Sequence, residues 1–104
     1  VLRIVAQALA KQLRSSDFLA RYGGEEFVMI VPGTSLANGT ALANKIRETV
    51  SRIGFHFSGK PLVITISCGI TELRSGDDAG SAFERADQAL YRAKEGGRNC
   101  VVAN

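Results

Sequence analysis

Ala20-Arg21-Tyr22-Gly23-Gly24-Glu25-Glu26-Phe27-Val28-Met29-Ile30 sets the local fold and poses the functional question. Strand-prone residues flank Gly23-Gly24, and glycine readily supplies the positive φ angles of a tight turn. The stretch therefore predicts a hairpin of two strands, Phe18 to Tyr22 and Phe27 to Val31. Pro32-Gly33 ends the second strand, because proline cannot donate to a ladder. Two adjacent carboxylates, Glu25 and Glu26, at the start of a strand read in two ways. One is the solvated shoulder of a turn. The other is a metal and phosphate site, where bare glycine backbone lets a ligand come close. Neighbouring strand residues point to opposite faces, so both carboxylates cannot aim at one ion unless the turn distorts the pleat.

Upstream, Leu2, Val5, Leu9 and Leu13 fall at helical spacing. This helix begins at Val1 with neither a capping residue nor an initiator methionine, which is what a chain cut from something longer would show. Downstream, Ala41, Leu42, Ile46, Val50 and Ile53 predict a second helix ended by Gly54. Gly54 to Gly59, with His56 inside it, reads as a loop. Leu62 to Thr71 alternates as one long strand, with Leu62, Ile64, Ile66, Cys68 and Ile70 on its packed face. Arg74 to Gly80 is a polar loop, and Phe83, Ala86, Leu90 and Ala93 mark a third helix ended by Gly96-Gly97. Cys100 to Ala103 can add a short last strand. The order predicts an α/β (α+β) fold, a ferredoxin-like or split βαβ sheet with helices packed on it, in a single domain over 1–104. Such a fold normally opens on a strand, and none precedes the first helix here.

The bulk numbers narrow the chemistry. With 104 residues the chain holds one core. A hydrophobic share of 45% against 22% charged argues against disorder. No apolar run approaches a membrane span, and nothing resembles a signal peptide. One histidine rules out a His-based metal site or a Ser-His-Asp triad built within this chain. Cys68 and Cys100 lack metal-ligand spacing and are too few for a disulfide framework, so they read as buried cytosolic thiols. A net charge of +3 suits a nucleotide or another phosphate-bearing ligand and is weak for a duplex-DNA binder.

Two further constellations stand out. Lys94 and Arg98 bracket a glycine turn, where they either complement a helix dipole or grip a polyphosphate. Arg14-Ser15-Ser16-Asp17 is either a surface ion pair or a nucleotide-reading site, with Arg14 on a phosphate or guanine and Asp17 accepting from a base edge.

Together these segments resemble the GGDEF domain of the diguanylate cyclase family. Arg21-Tyr22-Gly23-Gly24-Glu25-Glu26-Phe27 is similar to its signature in the GGEEF form, and Arg14-x-x-Asp17 to its RxxD inhibitory motif. Thr65-Ile66-Ser67-Cys68-Gly69-Ile70 resembles its TISIG strand, and Ala86-Asp87-Gln88-Ala89-Leu90-Tyr91-Arg92-Ala93-Lys94 with Gly97-Arg98-Asn99 resembles its ending. The resemblance implies a nucleotide-cyclase-like sheet and an enzyme that condenses two GTP molecules into cyclic di-GMP and pyrophosphate. It further implies magnesium or manganese as cofactor and two subunits meeting face to face, each with one GTP. An N-terminal sensory or regulatory domain is expected in the full-length protein, with a cytoplasmic catalytic domain and no nucleic-acid partner. By the same resemblance Glu25 is the metal ligand and helps deprotonate the attacking hydroxyl, and Glu26 is a second catalytic acid. Gly23 and Gly24 leave space beside the nucleotide, and Lys94 and Arg98 contact its phosphates. Arg14 and Asp17 bind product at a separate inhibitory site, with Lys45 as an additional cation.

The family's first strand carries another magnesium-binding aspartate, and the segment after it carries guanine-reading residues. Nothing before Val1 supplies them, so the resemblance implies a domain partial at its N-terminus and inactive alone. That strand lies between Phe27–Val31 and Leu62–Thr71 in the family, and without it both would present unpaired ladder groups. A different class stays open, a non-catalytic cyclic di-GMP receptor that binds through Arg14 and Asp17. A ferredoxin-like RNA binder is disfavoured, because Leu62 to Thr71 has no aromatic on which a base could stack.

Overall fold

The structure, a computed structural model, describes residues 2–23 and 26–104. It divides into two units, Val1–Thr34 and Ser35–Asn104. The first holds helix α1 (Leu2–Lys11) and strands β1 (Phe18–Gly23) and β2 (Glu26–Ile30). Val5 and Leu9, one turn apart on the predicted apolar stripe, are buried. β1 and β2 pair antiparallel from Phe18 opposite Ile30 to Gly23 opposite Glu26. The hairpin read from the sequence is present, with β1 one residue longer and β2 one residue earlier than expected.

The second unit begins with α2 (Leu36–Ser51). Ser35 caps it, its side chain accepting from the Asn38 amide at 3.1 Å. Glu72 adds a carboxylate at the same end, accepting from the Leu36 amide at 2.5 Å, where the helix dipole favours negative charge. Gly39, Ala43, Ile46 and Val50 are the buried stripe. This corrects the expected face in part: Ala41 is exposed and Leu42 half-buried, while Ile46 and Val50 hold. Alanine is too weakly apolar to mark a face by itself.

Two expectations about the middle of the chain need correction. Gly54 to Gly59 is not a loop. Phe55–Phe57 is a strand, β3, paired antiparallel with β4 (Lys60–Leu62), and Phe55 is buried. Ser58 and Gly59 make the turn with φ of 51° and 76°, the double left-handed geometry of a two-residue hairpin loop. Nor is Leu62 to Thr71 one strand. Only β4 and β5 (Cys68–Ile70) are paired, and residues 63–67 have no ladder partner among the described residues. Alternation in sequence selects a face; pairing needs a neighbour as well.

β5 runs parallel to β6 (Val101–Ala103), with α3 (Ala79–Glu95) between them in sequence, a βαβ unit. Among the described residues the sheets are three two-stranded ladders, β1-β2, β3-β4 and β5-β6. Ala82, Ala89 and Ala93 are the buried residues of α3; Ala93 is as expected, Ala86 and Leu90 are half-buried, and Phe83 is 39% exposed. Small residues are used because the helix lies hard against β5. A Cβ built on Gly69 would stand 2.2 Å from the Leu90 nitrogen and 2.3 Å from the Ala86 oxygen.

Polar side chains fix the start of α3. Asp78 and Ser81 form a reciprocal capping box, and Asp77 receives a forked pair of hydrogen bonds from Arg85 at 3.0 and 2.6 Å. Arg85 also donates to the Thr71 hydroxyl at 2.6 Å and the Glu72 carbonyl at 2.9 Å, so it joins α3 to the segment after β5. Hydrogen bonds from Arg85, the Arg74 amide and Ser81 hold the Asp77 carboxyl well below its usual value near 3.8. A depressed folded pKa means stability that is complete above the unfolded value and lost as pH falls below it. The Asp77→Asn variant is therefore expected to be less stable than the parent at pH 7 and to lose less on acidification below pH about 4. Urea melts at pH 7 and pH 3 check this; parallel losses in both proteins would refute it.

Candidate functional site

The hairpin tip carries the signature. Arg21 faces Phe27, but the next pair is Gly23 with Glu26, so Tyr22 is an extra residue on β1. Such a bulge increases twist and re-aims side chains, and bulges recur beside binding sites. It lies on β1 across from the start of β2. Glu26 is exposed at the start of β2. Gly24 and Glu25 lie outside the described residues. Gly23 itself is informative: it does not have a positive φ, and a Cβ added there would meet nothing within 4 Å. Neither backbone conformation nor internal packing requires glycine at this position, in contrast to Gly69. Among the described residues no group of three or more His, Cys, Asp or Glu is placed to hold a metal ion, so these residues do not by themselves build a metal centre.

Arg14 and Asp17 are brought together within the first unit. Asp17 accepts from the Arg14 amide at 2.8 Å and from Arg14 Nη2 at 3.4 Å. The same Nη2 donates to the Pro32 carbonyl at 2.9 Å and to Thr34 Oγ1 at 3.3 Å. The Asp17 side chain is 1% exposed and that of Arg14 is 60% exposed. The carboxylate is thus spent on holding the turn and the arginine, while the described bonds of the guanidinium all use one nitrogen. Of the two, it is Arg14 that faces solvent. Lys45 lies in the other unit, exposed on α2.

Lys94 and Arg98 are both exposed at the C-terminal end of α3. Gly96 caps the helix, the Gly97 amide donates to the Lys94 carbonyl at 3.4 Å, and the Arg98 amide donates to the Ala93 carbonyl at 3.0 Å. This is a Schellman motif, with Gly97 in the left-handed position at φ 110°. The left-handed run then continues through two residues with side chains, Arg98 at φ 64° and Asn99 at φ 47°. Asparagine tolerates this conformation, whereas arginine pays on the order of 1–2 kcal/mol for it. Sequence reasoning missed what holds the run in place. The Asn99 amide donates to Ser67 Oγ at 3.1 Å, and Asn99 Oδ1 accepts from Arg47 Nη1 at 3.1 Å. Asn99 was visible as the last residue of the Gly97-Arg98-Asn99 match; Arg47 in mid-helix carried no signal.

Cys68 is not poised as a nucleophile. Burial pushes the Cys68 thiol up to about 11, against the opposing pull of Arg47, so it stays protonated near neutrality. Cys100 Sγ donates to the Ala93 carbonyl at 3.4 Å. No helix of the described residues is long and apolar enough to cross a membrane.

Comparison with known proteins identifies the arrangement. Residues 1–100 match the family described as "Diguanylate cyclase, GGDEF domain". The chain is 55% identical over 100 residues to the diguanylate cyclase DgcP of Pseudomonas aeruginosa, a match covering 95% of this chain and 15% of that protein. Among solved structures, the GGDEF domain of DgcB from Caulobacter crescentus in complex with c-di-GMP aligns with a TM-score of 0.93 at 38% identity, covering 98% of this chain and 61% of that one. The active GGEEF domain of a diguanylate cyclase from Vibrio cholerae aligns at 0.86 and 30% identity, covering 98% and 65%. The chain spans about a seventh of DgcP and under two thirds of these two domain structures. With the signature at a bulged hairpin tip and the α3 ending in place beside these matches, the chain belongs to the GGDEF, or diguanylate cyclase, family.

Proposed function

We propose that this chain is the larger part of a catalytic domain that condenses two GTP molecules into cyclic di-GMP, releasing two pyrophosphates. The observation that carries the proposal is Gly23. A glycine that neither its φ nor any internal neighbour demands, standing beside two acids, is explained by a ligand that comes against the backbone. In this reading Gly23 and Gly24 make room for the nucleotide, Lys94 and Arg98 grip its phosphates, and Glu25 and Glu26 supply the acidic groups. Magnesium or manganese, when bound, neutralises charge on the reacting phosphates, with Glu25 as the ligand this chain offers. Two subunits pair so that the 3′-hydroxyl on one GTP meets the α-phosphate of the other.

Gly23→Ala tests the proposal. In the full-length protein the substitution is expected to leave stability unchanged or raise it by about 0.4–1 kcal/mol, since alanine removes unfolded-state freedom. Cyclic di-GMP formation, followed by chromatography, is expected to drop at least about tenfold. A Gly23→Ala protein with full turnover would overturn the reading.

We further propose that Arg14 and Asp17 form a product-inhibition site, in which Arg14 touches cyclic di-GMP and Asp17 fixes the arginine. Arg14→Ala is then expected to raise the concentration of cyclic di-GMP needed for half inhibition by about tenfold or more, the worth of a charge-assisted hydrogen bond, with the initial rate unchanged. Unaltered inhibition would remove this site. The same titration meets the receptor alternative: binding of cyclic di-GMP with no turnover of GTP would favour it.

A further inference from the structure

We infer that Arg47 is a positioning residue for Arg98, acting across the fold through Asn99. The inference rests on the reading of Arg98 as a phosphate contact. Arg98 and Asn99 hold consecutive left-handed backbones, at φ 64° and 47°. Nothing in the identity of an arginine favours that conformation, so surrounding bonds must impose it. The Schellman bonds fix the Arg98 amide but leave its φ free to relax beyond that point. The next residue is what is clamped. Its amide is bonded to Ser67 Oγ, and its side-chain oxygen is bonded to Arg47 Nη1, 52 residues away in sequence.

Arg47 is built for this work. Its Nε donates to Asn44 Oδ1 at 3.3 Å, its Nη2 lies 3.7 Å from Glu48 Oε1, and its side chain is only 21% exposed. The guanidinium is held on its own helix by two neighbours before it offers Nη1 to Asn99. A planar donor fixed in this way loses little freedom on making one more bond. Without Nη1, Asn99 can rotate and the 98–99 pair can leave the left-handed region. The Schellman cap and the fold survive; the direction in which Arg98 leaves the backbone does not. For a residue that must meet a phosphate, such re-aiming is costly.

The test uses the full-length protein with magnesium and 3′-deoxy-GTP, which cannot react. Arg47→Met is expected to speed amide hydrogen exchange at Asn99 at least about tenfold, to weaken 3′-deoxy-GTP binding about tenfold, and to leave the melting temperature nearly unchanged. Asn99→Ala, which removes no charge and sits at the surface, is expected to weaken binding alike. Adding Arg47→Met to Asn99→Ala or to Arg98→Ala is expected to cost nothing more, because the three act as one unit. A loss from Arg47→Met that persists in either background would show that its charge acts on the nucleotide directly and would overturn the proposal. So would unchanged Asn99 exchange in Arg47→Met. If Arg98→Ala binds 3′-deoxy-GTP as well as the parent while Arg47→Met still speeds Asn99 exchange, the phosphate-contact reading of Arg98 fails and the mechanical link to Asn99 stands alone.

Discussion

Gly69→Ala is expected to be the most destabilising single-methyl change in the second unit, lowering stability by about 3 kcal/mol or more. The added Cβ would stand 2.2 Å from the Leu90 nitrogen, 2.3 Å from the Ala86 oxygen and 2.8 Å from the Leu90 Cα. All three are backbone atoms, so no rotamer change relieves the clash. Helix α3 must back away from β5 as a body, which opens the packing of Ala82, Ala89 and Ala93. At roughly 4–8 °C per kcal/mol for a chain of this size, the melting temperature should fall by more than 10 °C. Ala86→Gly is not expected to rescue it, because the obstruction at position 86 is the carbonyl rather than the side chain. Thermal melts of the single and double variants decide the matter: a Gly69→Ala protein melting within 2–3 °C of the parent would mean that α3 does not sit this close. Gly23→Ala is the matched control, since the same methyl there meets open space.

The contrast between these two glycines also shows where sequence reading stops. The β1–β2 hairpin and the three helices were legible because each depends on signals within a few residues: a glycine turn, a heptad-like stripe, a glycine stop. The β3–β4 hairpin was not, because Ser58-Gly59 is an uncommon pair for a two-residue turn and Pro61 argues against a strand. The strand expected from Leu62 to Thr71 was over-read for the opposite reason. Its alternation is real, yet a ladder is a property of two strands, and the sequence of one does not name its neighbour. The face of α3 was legible at Ala93 but not at Phe83, which is exposed while Ala82 beside it is buried, because the close approach to Gly69 favours small residues, and that constraint comes from another element. The site divides along the same line. Gly23 to Glu26 and Lys94 to Asn99 are contiguous and could be matched as text. The Arg47–Asn99 bond joins residues 52 apart, and the burial of Asp17 beneath Arg14 depends on the turn that carries both.

Glu25→Ala is expected to lower kcat/KM for cyclic di-GMP formation by about 10³-fold or more, equivalent to roughly 4 kcal/mol of transition-state stabilisation. Glu26→Ala is expected to cost far less, about tenfold. The asymmetry follows from the proposed role of Glu25 as the metal ligand. Glu26 opens β2 opposite Gly23 and is exposed. In the proposed function Glu25 meets the reacting groups and Glu26 is the supporting acid. No described cluster of acids, histidines or cysteines could substitute for the one removed, which is why the loss should be deep rather than partial. Both variants should retain the parent melting temperature, because neither acid is expected to be part of a core. The measurement is initial-rate formation of cyclic di-GMP by the full-length protein, with melting curves run alongside. A Glu25→Ala protein that keeps a tenth of parent activity, or a Glu26→Ala protein that loses more than Glu25→Ala, would reverse the roles given to the two acids and with them the claim that the first is the one facing the nucleotide.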